Sequence, residues 1–152
     1  MVPPEVFAGA LSRLETVRIR PWSRATPSQV ESLLMLMISN QEEAGGSTLK
    51  HLRFDDTSLT SVSPEVIVGA IQSLEKVEFW RGEMTVDQIT AILIMLKRNQ
   101  LGRLKDVVIA YPSILGGTVS LSLLQEATQN TSVNITSVNT ISMRPLSVKC
   151  SF

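Results

Sequence analysis

The run Val2-Pro3-Pro4-Glu5-Val6-Phe7-Ala8-Gly9-Ala10-Leu11-Ser12-Arg13-Leu14-Glu15-Thr16-Val17 returns as Val62-Ser63-Pro64-Glu65-Val66-Ile67-Val68-Gly69-Ala70-Ile71-Gln72-Ser73-Leu74-Glu75-Lys76-Val77. Self-similarity at a fixed offset predicts a stacked repeat architecture, which restricts the chain more than any single motif does. Repeat proteins act mostly through an extended surface that binds another molecule.

The echo continues with the offset reduced by one residue. Thr26-Pro27-Ser28-Gln29-Val30 corresponds to Thr85-Val86-Asp87-Gln88-Ile89, Leu33-Leu34 to Ile92-Leu93, and Asn40-Gln41 to Asn99-Gln100. Each copy therefore holds two helix-plus-strand units. Leu14, Val17 and Ile19; Leu49, Leu52 and Phe54; Leu74, Val77 and Phe79; and Leu104, Val107 and Ile109 share one spacing, LxxLxL. Alternate residues of a strand face opposite sides, so the fourth and sixth positions point into one core. Four strands are expected, near 14–20, 49–55, 74–80 and 104–110. An apolar residue follows five positions later in three units, at Leu59, Met84 and Ile114.

A helix start signal follows each strand. Thr26, Ser63 and Thr85 are placed to cap free backbone N–H groups, and Pro27 and Pro64 occupy a first helical position, where a missing N–H costs nothing. Glu65 and Asp87 add negative charge to the first turn. Helices are expected over roughly 3–11, 27–39, 64–72, 86–98 and 118–127, alternating short and long. Beyond 127, Val133, Ile135 and Val138 alternate as in a strand, so residues 128–152 read as a degenerate repeat or a C-terminal cap.

This pattern resembles the ribonuclease-inhibitor-like subclass of leucine-rich repeats, also found at the end of NOD-like receptors, over about residues 2 to 127. The resemblance implies an α/β fold, a leucine-rich-repeat solenoid forming a horseshoe segment, with parallel strands on the concave face and helices on the convex face. It also implies a protein-recognition role, as in a receptor-like or innate-immune-type protein. The family's usual Asn or Cys after each strand is replaced here by Trp22, Thr57, Gly82 and Pro112.

Composition narrows the alternatives. A length of 152 residues with 43% hydrophobic content suits one domain spanning the whole chain. Fourteen basic and fourteen acidic residues balance, so no excess charge points to nucleic acid. The one cysteine, Cys150, has no internal disulfide partner. The start Met1-Val2-Pro3-Pro4-Glu5 has no basic region leading into an apolar run, and the longest apolar runs, 33–38 and 91–96, are far below the roughly 20 residues that span a bilayer. The expected location is cytoplasmic, with no membrane partner.

Catalysis finds no constellation: one His, one Cys and no metal-ligand spacing are present, and His51 near Asp55 and Asp56 has no accompanying nucleophile. The expectation is a non-enzyme without cofactor or metal. Its candidate binding residues are the outward strand positions Arg18, Arg20, His51, Arg53, Lys76, Glu78 and Trp80, with Tyr111 nearby, because Arg and Trp dominate many interfaces. The competing reading is that neighbouring strands pair opposite charges, such as Arg53 with Glu78, on a solvated sheet. A second functional reading is self-association as a homo-oligomer, through repeat ends or an apolar convex stripe formed by Met35, Leu36, Ile94 and Met95. The identity of a protein partner is not legible.

Overall fold

The computed structural model describes residues 2–20, 25–40, 48–110, 112–130, 134–139 and 147–148. The fold is mixed α/β, with five helices and a largely parallel sheet among these residues. The order is α1 (Pro4–Leu11), β1 (Thr16–Ile19), α2 (Pro27–Asn40), β2 (His51–Asp55), α3 (Pro64–Ile71), β3 (Lys76–Trp80), β4 (Glu83–Thr85), α4 (Val86–Lys97), β5 (Asp106–Ala110), β6 (Ser113–Leu115), α5 (Leu121–Asn130), β7 (Asn134–Asn139) and β8 (Ser147–Val148).

The main sheet runs β1-β2-β3-β5-β7-β8, parallel throughout except for the last pair. Every crossover advances in one direction, and β-α-β crossovers are right-handed, so the helices fall in a single row. Accordingly α1 packs on α2, α2 on α3, α3 on α4 and α4 on α5. Register follows the repeat: Val17, Leu52, Val77 and Val107 lie side by side, as do Ile19, Phe54, Phe79 and Ile109. These two rows are buried, and the Phe54 and Phe79 rings stack with centroids 5.6 Å apart. Leu33, Leu34, Ile92 and Leu93 close the core from the helix side.

Two further lines of bonds tie the units together. Before the strands, the carbonyls of Glu15, Lys50 and Glu75 each accept two N–H groups from the next unit. After them, Asp56 and Arg81 take a left-handed conformation (φ 48 and 54) and donate their N–H to Trp80 and Ala110. Beyond that turn, β4 and β6 form a small parallel ribbon that aligns Met84 with Ile114, and the Leu59 N–H joins it by donating to Glu83. Gly82, just before this ribbon, is held to glycine because a Cβ there would stand 2.5 Å from the Thr57 carbonyl oxygen.

The caps form at the expected hydroxyls. Thr26 accepts from the Gln29 N–H, Ser63 from Val66 and Thr85 from Gln88. The expected start of the last helix, at 118, is corrected to Leu121. Gly116 and Gly117 adopt positive φ, and Ser120 supplies the cap by accepting from the Leu123 N–H. The tail contributes β7 as a fifth parallel strand beside β5, with β8 antiparallel to it. Trp22, Arg24, Tyr111, Val133, Cys150 and the glycine-containing loop at 42–47 lie outside the described residues.

Candidate functional site

The positions between the core rows place Arg18 on β1; His51, Arg53 and Asp55 on β2; and Lys76, Glu78 and Trp80 on β3. Parallel register sets Arg18 beside Arg53 and Arg53 beside Glu78, and it sets His51 beside Lys76 and Asp55 beside Trp80. Like charges alone would repel at the first contact. Two carboxylates resolve this. Asp55 accepts from the Arg18 Nε at 2.5 Å and from Arg53 through Nε (3.1 Å to each oxygen) and Nη2 (3.0 Å). Glu78 accepts from the Trp80 Nε1 at 3.1 Å, meets His51 Nε2 at 2.5 Å, and has the Arg53 Nη1 at 3.9 Å. The Arg53 guanidinium also lies over the Trp80 ring, 4.7 Å from its centroid.

The result is one continuous network across three strands, sorted by depth. The carboxylate side chains of Asp55 and Glu78 are 5% and 9% exposed, whereas those of Arg18, His51 and Arg53 are 41%, 30% and 26% exposed. Burial opposes the ionisation of Asp55, but hydrogen bonds from Arg18 and Arg53 outweigh it and hold the carboxyl below its usual range. Burial likewise opposes ionisation of Glu78, and the bonds from Trp80 and His51, with the charge of Lys76, prevail and lower it. Arg53 is raised, chiefly by its hydrogen bond to Asp55.

The charge-pairing reading of the strands thus describes part of this arrangement. Arg53 does meet Glu78, yet its stronger partner is Asp55 on its own strand. His51 pairs with Glu78 on the next strand rather than with Asp55 or Asp56. Asp55 is the residue that sequence reasoning undervalued; the signal was Arg53-x-Asp55, two alternate residues on one face. Arg20 follows β1 and lines a shallow concavity with Ile19, Ala25, Asp56 and Thr57. Tyr111 is not among the described residues. On β5 the outward positions Val108 and Ala110 are buried and Asp106 is half-buried.

The proposed convex stripe requires a correction. Met35 is 51% exposed and Leu36 and Ile94 are half-buried, but Met95 is core, at 2% exposure. Met35 and Leu36 line a groove with Glu5 and Ala8; Ile94 and Met95 line its repeat-equivalent with Glu65, Val68 and Gln72. The larger Val68 and Gln72 stand where the first copy has Ala8 and Ser12, and they line the same groove as Met95.

A buried glutamine was also missed as a device. Gln88, 1% exposed, accepts from the Thr85 N–H and donates Nε2 to the carbonyls of Leu59 and Val62, both at 2.6 Å. Its pairing with Gln29 was visible in the aligned copies, but the reach into the preceding unit was not.

No group of three or more His, Cys, Asp or Glu could hold a metal ion among the described residues. No helix among them is long and apolar enough to cross a membrane. No protein-family model matches the chain, and no curated protein and no solved structure matches it.

Proposed function

We propose that the chain is a leucine-rich-repeat solenoid segment of the ribonuclease-inhibitor-like kind, acting without catalysis as a protein-recognition module through the β1–β3 face. The strand order without reversal, the shared register and the single row of helices support the fold part. The recognition part rests on one observation: the network presents Arg18, Arg53, His51 and Trp80 to solvent in fixed positions, with their counter-charges buried beneath. Side chains already ordered lose less entropy when a partner docks, which favours binding over a merely solvated surface. In this reading the helix side is a scaffold. The test is capture of a protein partner by the purified chain and by an Arg18→Ala, Trp80→Ala double variant that still melts cooperatively. Loss of capture supports the face; intact capture removes it.

A second reading, self-association through a repeat end, is favoured by a difference between the copies. Val2, Val6 and Leu14 are 49%, 60% and 48% exposed, whereas of their equivalents Val62 and Leu74 are 3% and 0% exposed and Val66 is half-buried. The first unit thus carries exposed apolar side chains at positions that an interior unit buries more deeply. Sedimentation across a wide concentration range tests this: a monomer throughout, unchanged by Val6→Ser with Leu14→Ser, rejects it.

A further inference from the structure

The depth sorting of the network gives the β1–β3 face a definite sign. Arg18 is ion-paired to Asp55 through its Nε, and among the described residues its two terminal nitrogens make no hydrogen bond. Lys76 acts on Glu78 through space, and its ammonium likewise makes no hydrogen bond or ion pair there. Arg53 is used fully by Asp55, Glu78 and the Trp80 ring. A docking chain would therefore meet two cations with open valence, Arg18 and Lys76, while the carboxylates that neutralise the interior of the network lie out of reach. Asp106, beside Lys76 in register and half-buried, ends the cationic strip at β3.

The spacing of the two cations follows from the sheet. Arg18 sits in register with Glu78, two strands away, and Lys76 lies two residues before Glu78. Strand separation of about 4.8 Å and a rise of about 3.3 Å per residue put the two positions roughly 12 Å apart. In an extended segment, side chains four residues apart lie on one face and are separated by about 13 Å. A guanidinium edge with both terminal nitrogens open also favours bidentate pairing with a planar carboxylate.

We propose that the face takes an extended acidic segment of a partner protein, lying obliquely across β1 to β3, with two carboxylates four residues apart engaging Arg18 and Lys76. This rests on the recognition reading above and adds the chemistry of the partner. The test uses the whole chain and three labelled, end-blocked Ser/Thr peptides that differ only in two residues four apart: both Glu, both Gln or both Lys. Fluorescence anisotropy at low salt should show binding of the Glu peptide alone, weakened about tenfold by Arg18→Gln or by Lys76→Gln and falling steeply with added salt. Each variant should melt within a few degrees of the parent. Equal binding of the Gln peptide, or preference for the Lys peptide, overturns the acidic assignment while leaving the face as a recognition surface. Absence of binding by all three also overturns it; capture of a protein partner that depends on Arg18 and Trp80 would then show that the face stands and the ligand class is wrong.

Discussion

Gln29 and Gln88 stand one repeat apart and make the same pair of bonds. Each Oε1 accepts from the N–H of its own helix cap, Thr26 or Thr85, and each Nε2 donates to a carbonyl of the unit before, Val2 or Val62. A capping box becomes a clamp between units because glutamine has a donor left over after the cap is made. Gln88→Ala should cost about 2–3 kcal/mol, since it strips buried backbone groups of their bonds, and Gln29→Ala about 1 kcal/mol, since its partner Val2 is exposed. Urea unfolding of the two variants checks the order.

The two carboxylates of the network set a pH dependence. Both are held below their ordinary values in the folded chain, so their contribution to stability is complete above the unfolded values, about 3.9 for Asp and 4.3 for Glu, and is lost as pH falls through the lowered folded values. Stability should therefore decline from about pH 5 downward. An Asp55→Asn, Glu78→Gln double variant should be less stable at neutral pH and lose less over the same acid range. Unfolding curves at several pH values that run parallel for the two proteins would contradict the network's role.

Equivalent glycines should respond in opposite ways. A Cβ on Gly9 meets nothing within 4 Å, whereas one on Gly69 comes within 3.0 Å of the Ile38 Cδ1. Gly9→Ala should stabilise by about 0.5–1 kcal/mol through helix propensity. Gly69→Ala should fall short of that gain or reverse it, as thermal melting would show.

The helix-side residues divide by burial. Met95→Ser should cost about 3 kcal/mol because it cuts a cavity in the core and buries a hydroxyl, while Met35→Ser should stay within about 0.5 kcal/mol. Equal costs would restore the idea of a common stripe.

The fold was legible because helix and strand carry different periods and the repeat displayed each pattern twice. The core rows from Val17 to Val107 and from Ile19 to Ile109, and the caps at Thr26, Ser63 and Thr85, follow from spacing and hydroxyl position alone. The site was legible only as a set of outward residues. Which of them face solvent depends on how side chains from three strands settle over one another, so Glu78 was placed on the right face at the wrong depth. Met95 fails for a related reason: helical angle fixes its direction, but packing against neighbouring units decides its exposure.

The central claim, that partners dock on the β1–β3 face and not on the helices, is tested most directly by blocking each side in turn. In a Cys150→Ser background, a bulky maleimide adduct is attached at Lys76→Cys or at Met35→Cys, and capture of the protein partner is measured with each. The account predicts loss of capture with the adduct at position 76 and undiminished capture with the adduct at position 35. Capture that survives at 76 and fails at 35 would contradict it.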